Sequence, residues 1–318
     1  MSFKAQSKIY DNFRDSTLNY FGDLPVTAFD IKKCFYCRDD EYHTVFTLDS
    51  LWIVRCKCGF VYSRRQPKEE TLSQFYNNSK AMTEWASLKQ SPAEAQRQKE
   101  KFTQAIDFFI KEKVKTLCDL GCGAGGFLKL YREKDPFVEL TGVDPNAKSL
   151  EYLKDDNVFT SNETIENYLI GNRGIKFDAI SLFGVLEHLA DPIYALNSVK
   201  NALKPGGFLL VCVPNVNSRA VRMLWEDCFT FCPQHLWYFD VMTLSRLFNH
   251  LGFMIKSHYT IEPEELPVMK KSWGFKPYEL VPTWAEKKYF SNEKRKFLSN
   301  QILASNEGYK IIAIAQKL

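Results

Sequence analysis

Residues 119–126 read Asp-Leu-Gly-Cys-Gly-Ala-Gly-Gly. They follow a short apolar run and precede a stretch of helix formers, so the pattern predicts a strand, a tight loop and a helix start. Glycines in such a loop let the backbone turn and approach a ligand without Cβ interference. The helix start adds unpaired N–H donors and partial positive charge. Asp119 lies just before the first glycine, and Asp144 ends the next apolar run.

Two ligands fit this spacing. Gly121, Gly123 and Gly126 satisfy the dinucleotide pattern G-x-G-x-x-G. Gly121, Gly123 and Gly125 equally satisfy a G-x-G-x-G loop holding S-adenosylmethionine. A carboxylate at Asp119 disfavours a pyrophosphate but can accept a hydrogen bond from the ammonium group of a methionine moiety. Asp144 can accept both ribose hydroxyls of either ligand. The remaining reading is a structural strand-turn-helix with no ligand.

A second constellation lies nearer the amino terminus. Cys34-Phe-Tyr-Cys37 is a C-x-x-C knuckle, and Cys56-Lys-Cys58-Gly59 follows as a C-x-C pair. Four thiolates in two close pairs suit a tetrahedral Zn²⁺ ion, with no open position for catalysis. His43 could replace one of the four. Unligated thiols or a redox pair are the competing readings.

The five histidines include two placed for proton transfer. His188 follows Glu187 just after a predicted strand, at the edge where open α/β sheets bind ligands. His235 lies in a later loop among Phe231, Trp237, Tyr238 and Phe239. Helix capping and aromatic-cluster packing are the bland readings of these two. Tyr76 could reach the same cleft from the amino-terminal module. The aromatic belt 225–239 is a possible substrate lid. Trp273, Phe275, Tyr278 and Trp284 could complete an acceptor pocket or an oligomer interface.

The elements that must position these groups follow from texture. The chain has 318 residues, enough for roughly two domains at ~150 residues each. Its hydrophobic fraction of 45% and charged fraction of 25% are those of a globular protein. A net charge of +4 does not by itself argue for nucleic acid. With no long apolar run and no apolar leader after Met1, the expectation is a cytoplasmic protein without a membrane span. Nine cysteines then read as thiols or metal ligands.

Residues 1–68 read as a loop-rich zinc-binding module and 69–113 as a helical connector. From 114 to 318 strands and helices alternate. Strands are expected at 115–120, 138–143, 158–160, 177–183 and 208–213. Helices are expected at 124–133, 147–154 and 192–203. This spacing indicates a parallel sheet with helices on both faces. A helix at 242–251 and strands at 253–261 and 309–316 follow. The proline-bearing stretch between those strands reads as irregular. Segments 214–240 and 262–308 read as substrate-side insertions.

Leu-Cys-Asp-Leu-Gly-Cys-Gly-Ala-Gly-Gly-Phe at 117–127 and Gly-Val-Asp-Pro at 142–145 are similar to the first two motifs of class I S-adenosylmethionine-dependent methyltransferases. So are the run 177–189, ending Leu-Glu-His-Leu, and Leu-Lys-Pro-Gly-Gly-Phe-Leu-Leu-Val at 203–211. That resemblance implies a Rossmann-like α/β fold, a seven-stranded sheet with its last strand antiparallel. It implies that Asp119, Gly121, Gly123, Gly125 and Asp144 hold the cofactor. It adds Asn162, after the third strand where the family holds adenine, and Phe183, after the fourth where the family covers the cofactor.

The cysteine module, with Val-Pro-Asn-Val-Asn-Ser-Arg at 213–219 and Pro-Gln-His-Leu-Trp-Tyr-Phe at 233–239, resembles a branch tied to sugar and glycan chemistry. The expected reaction is methyl transfer to O or C of a sugar-type acceptor, with His188, His235 or Tyr76 as base. Gln234 stands where that branch often has glutamate, which weakens a carboxylate–histidine dyad. Other small metabolites, such as quinone or lipid precursors, are the second reading. Macromolecule binding through the zinc module is the third. The basic residues of 55–68 form too short a stripe for nucleic acid. Oligomerisation is left open.

Overall fold

The structure is a computed structural model. It describes residues 15–48, 51–78, 92–154, 156–277, 281, 285 and 288–318. The expectations for Tyr278 and Trp284 lie outside the described residues.

The chain divides into two compact units that interleave along the sequence. The first gathers Met1–Glu84, Pro214–Thr243 and Tyr259–Ile311; the second gathers Trp85–Val213, Leu244–His258 and Ile312–Leu318. The two segments expected as insertions, 214–240 and 262–308, therefore both fall within the first unit. The helix Pro92–Lys111, expected as part of a connector, belongs to the second.

A seven-stranded sheet has the order β12-β13-β10-β9-β6-β7-β8. Its strands are β6 (Thr116–Leu120), β7 (Glu139–Val143), β8 (Phe159–Ser161), β9 (Phe177–Phe183), β10 (Leu203–Pro214), β12 (Phe253–Ile261) and β13 (Lys310–Lys317). Parallel pairing runs from β10 through β9, β6 and β7 to β8. The last strand is antiparallel. Strands β6 and β9 and residues 207–214 of β10 are buried almost throughout because both faces of such a sheet are covered.

The helices of the second unit start where capping residues stand. Asp191 accepts from the Tyr194 amide ahead of helix Pro192–Ala202, and Asn146 and Thr164 do the same for Ala147–Leu150 and Ile165–Gly171. Helix Pro92–Lys111 packs through Phe102, whose ring centroid lies 5.3 Å from Phe127 and 4.7 Å from Phe183. The expected helix 147–154 is a shorter α-helix continued by a 3-10 turn at Glu151–Leu153.

The first unit is built on an antiparallel sheet of order β11-β4-β3-β2. Its strands are β2 (Tyr42–Leu48), β3 (Leu51–Cys56), β4 (Val61–Ser63) and β11 (Trp237–Tyr238). A small pair, β1 (Phe29–Ile31) and β5 (Arg65–Pro67), lies in the same unit. Phe46, Ile53, Val61, Val221, Leu224, Phe231 and Tyr238 share one buried cluster there.

Among its described residues, the stretch after β12 is not irregular throughout. It forms helices Glu265–Ser272 and Asn292–Ala304. Pro267 is compatible with the first of these because it sits in the opening turn, where a backbone N–H has no intrahelical partner to lose.

Candidate functional site

The register of three strands fixes the first carboxylate. Asp119 on β6 pairs with Gly142 of β7 on one side and Ser181 of β9 on the other. The Ser181 hydroxyl donates to Asp119 Oδ1 at 2.7 Å. Asp119 is only 2% exposed. Burial pushes its pKa up to about 7; the Ser181 hydrogen bond opposes this, the Asp144 charge adds to it and Lys101 opposes it. A carboxylate in that state changes charge near neutrality, and an added cation would favour its ionised form.

Beyond β6 the chain folds back on β7. The N–H groups of Gly121 and Cys122 donate to the Val143 carbonyl at 2.7 and 3.1 Å. Gly121, Gly123 and Gly125 have φ of 74°, 53° and 74°. A Cβ on Gly121 would lie 2.5 Å from a Val185 methyl, and one on Gly125 would lie 2.1 Å from a Leu153 methyl. At Gly123 it would meet nothing within 4 Å. Packing demands the outer glycines, whereas Gly123 borders open space into which a ligand can come. The helix Gly126–Lys134 then starts at Gly125 without a side-chain cap.

Asp144 completes the loop. The Gly123 N–H donates to its Oδ2 at 2.9 Å and the Asn146 N–H to its Oδ1 at 2.9 Å. Burial pushes its pKa up, and these amides oppose that. Each carboxylate oxygen accepts more than one hydrogen bond, so Asp144 keeps acceptor capacity for hydroxyls. Asn162 donates to the carbonyls of Asp144 and Pro145 at 3.1 and 2.7 Å, fastening the end of β8 to that turn. Phe183 is half-buried, with its ring centroid 4.6 Å from Phe127 and the Lys101 Nζ 5.5 Å from its own.

All seven residues expected to hold the cofactor therefore lie in the second unit, around one loop and the adjoining strand ends. Ser181, Lys101 and Gln98 were not foreseen. Ser181 leaves a signal, a polar residue inside a buried apolar strand. Gln98 comes from helix Pro92–Lys111, and its Oε1 lies 2.2 Å from where a Gly126 Cβ would stand.

The three residues expected as proton-transfer groups are divided between the units. His188 ends a 3-10 turn after β9, its Nε2 4.0 Å from Oε1 of the buried Glu187. In the first unit, His235 Nδ1 lies 2.7 Å from the Thr230 carbonyl. A carbonyl only accepts, so Nδ1 carries a proton and the neutral ring has its lone pair on Nε2. Tyr76 is half-buried on helix Glu69–Asn78, with its ring 5.5 Å from that of Phe75. Most of the aromatic belt is interior: Trp237, Tyr238 and Phe231 are buried, while Trp225 is 46% exposed. Those three are core side chains rather than a lid.

In the first unit, Cys34 Sγ lies 3.6 Å from Cys58 Sγ, and Cys37 Sγ lies 3.3 Å from Cys56 Sγ. All four sulfurs fall within 4.8 Å of one another. Disulfide sulfurs would be ~2.0 Å apart, whereas bonds of ~2.3 Å to one tetrahedral ion separate sulfurs by roughly 3.8 Å. The cluster has the chemistry and spacing of the latter. Gly59, at φ 94°, turns the chain after the second pair. Burial pushes the Cys34 thiol up, and that of Cys56 to about 12. At Cys37 burial is outweighed by the Asp39 amide and the neighbouring sulfurs, which hold its pKa down. His43 stands outside this cluster, on β2.

A family described as a methyltransferase domain matches residues 93–258. The tRNA U34 carboxymethyltransferase of Campylobacter fetus subsp. fetus is 33% identical over 108 residues, 32% of this chain and 38% of that protein. The ubiquinone biosynthesis O-methyltransferase of Serratia proteamaculans is 30% identical over 115 residues, 34% of this chain and 46% of that protein. The chain thus spans less than half the length of these relatives.

Among solved structures, the plantazolicin methyltransferase BpumL in complex with a pentazolic desmethylPZN analog and SAH has a TM-score of 0.51. Its identity is 16%, covering 77% of this chain and 94% of that one. A SAM dependent methyltransferase from Archaeoglobus fulgidus has a TM-score of 0.50 and 20% identity, covering 79% of this chain and all of that one. These likenesses are of fold. Among the described residues, no helix is long and apolar enough to cross a membrane.

Proposed function

The chain belongs to the methyltransferase-domain family, and from that premise we propose that it transfers a methyl group from S-adenosylmethionine to an oxygen or carbon of a sugar or glycan intermediate. One observation carries the donor half of this reading: the open backbone at Gly123, set between the buried Asp119 and an Asp144 whose carboxylate accepts from the Gly123 amide. When bound, the donor supplies a methyl group already activated by its sulfonium.

The protein's own groups do the rest. Asp119 accepts from the donor's ammonium, and Asp144 from its ribose hydroxyls. Asn162 flanks the adenine end, and Phe183 covers the cofactor. His235 is one candidate for the acceptor's proton, with its lone pair on Nε2 and its Nδ1–H anchored on Thr230. His188 and Tyr76 are the other two candidates for that proton. Fixing the acceptor in line with the methyl supplies much of the acceleration, and a base contributes a further ~10²–10⁴-fold. Cys34, Cys37, Cys56 and Cys58 would hold Zn²⁺ as a staple between the 34–37 knuckle and the end of β3.

The sugar-type acceptor is supported by the gathered cysteines, since that module resembles the one in a branch tied to sugar and glycan chemistry. A second reading, a quinone or lipid precursor as acceptor, is favoured by the likeness to the ubiquinone biosynthesis O-methyltransferase of Serratia. A tRNA acceptor is raised by the Campylobacter one. The test is methyl-labelled donor offered with nucleotide sugars, hydroxylated quinols and tRNA in parallel. Label on the nucleotide-sugar fraction is expected; label only on quinol or tRNA contradicts the sugar reading.

A further inference from the structure

The first unit contains a cavity of about 330 Å³ whose walls belong wholly to that unit. Three strands build one side of it. His43 of β2 pairs directly with Arg55 of β3, and Arg55 with Val61 of β4. Side chains at paired positions share a face of the sheet, so this row presents two polar groups and a valine together.

The β2–β3 register also shifts between Thr44 and Phe46. Successive strand residues ordinarily point to opposite faces, but a bulge re-aims one of them. Thr44 and Val45, adjacent in sequence, both line the cavity.

The other side comes from helix Arg219–Leu224 and its exit. Val221 stands on the helix, and Trp225 at its C-cap. Trp225 has φ 54° and ψ −124°, a backbone conformation costly for any side chain larger than glycine. Its ring is nevertheless 46% exposed. Burial of the Trp225 side chain therefore does not account for the strain, which holds an indole at the cavity wall. The Phe231 ring stands with it, and Phe46 backs both at 4.8 Å from Phe231 and 6.1 Å from Trp225.

Charge distinguishes the mouth from the walls. Arg55 is exposed, makes one long hydrogen bond of 3.4 Å to the Gly59 carbonyl, and has no carboxylate partner among the described residues. A site of this volume, with apolar and aromatic walls and one fixed cation at the rim, is built as small-molecule sites are built. We propose that this cavity binds a small aromatic carboxylate, its ring between Trp225 and the valine-lined sheet and its carboxylate on Arg55, with His43 beside it. The site requires neither the methyl donor nor the glycine loop.

Equilibrium dialysis of the full chain with 2-naphthoate, in the absence of any methyl donor, tests this. One equivalent bound per chain is expected, with 2-naphthalenemethanol at least about tenfold weaker because it lacks the charge. Arg55→Gln should weaken naphthoate about tenfold and leave the alcohol unchanged. Val45→Trp, a half-buried strand position that fills the cavity, should abolish both. Circular dichroism and S-adenosylmethionine binding report whether each variant is folded. No binding, equal binding of acid and alcohol, tighter binding of octanoate than of naphthoate, or an Arg55→Gln variant that loses both ligands equally would each overturn the proposal. None of these outcomes bears on the donor site, whose own failure would show in S-adenosylmethionine binding alone.

Discussion

Asp119 is where the site's chemistry and its pH dependence meet. Burial raises its pKa to about 7, so in the unliganded protein it is half-protonated near neutrality. A ligand cation prefers the ionised form. Affinity for S-adenosylmethionine should therefore rise with pH through 7, by about tenfold between pH 6 and pH 8. Titrations at those two values check this, and Asp119→Asn should flatten the dependence at the weak end. Ser181→Ala removes the hydrogen bond that favours the carboxylate, so the midpoint should move to higher pH; an unmoved midpoint would clear Ser181 of the role. His235→Gln should leave donor affinity unchanged and slow turnover by ~10²-fold or more, measured as single-turnover methyl transfer. The aspartates were legible in the sequence because charges beside a glycine loop stand out. Ser181 was not, because its relevance depends on the β6–β9 register.

The loop as an element separates two effects that a glycine can have. At Gly125 a side chain is excluded by the left-handed backbone and by Leu153; at Gly123 the backbone is also left-handed but the space is open. Either alanine costs ~1–2 kcal/mol for the backbone alone. Gly125→Ala adds the collision with Leu153, so it should show the larger fall in Tm. Gly123→Ala should remain folded and lose donor affinity by more than tenfold. Equal Tm losses with equal residual affinity would mean that Gly123 does not border the ligand. Strands such as β9 and β12 were legible end to end from their residue pattern. The helices Ile165–Gly171, Glu265–Ser272 and Asn292–Ala304 were not. The first is short and declared only by its Thr164 cap, and prolines disguised the second. The third carries its apolar residues without a clear helical stripe.

At the scale of the whole molecule, the chain leaves and re-enters each unit, so linear boundaries in the sequence could not show which segments fold together. Residues 214–243 and 259–311 join the amino-terminal cysteine strands because strand pairing such as Trp237 with Tyr62 outweighs chain order. A metal centre there should matter to that unit most. Native mass spectrometry should find one zinc per chain. Stripping it with a strong chelator should lower the thermal transition while S-adenosylmethionine still binds. A chain that carries no zinc when purified without chelators would contradict the structural-ion reading. The central proposal is the second unit's loop as the seat of a sulfonium donor. Isothermal titration calorimetry of the intact chain with S-adenosylmethionine tests that most directly. One bound equivalent is expected in the native protein, and at least about tenfold weaker binding in a folded Asp144→Ala variant. No heat from the folded native chain with either this donor or its demethylated product, or an Asp144→Ala variant that binds as tightly, would contradict it.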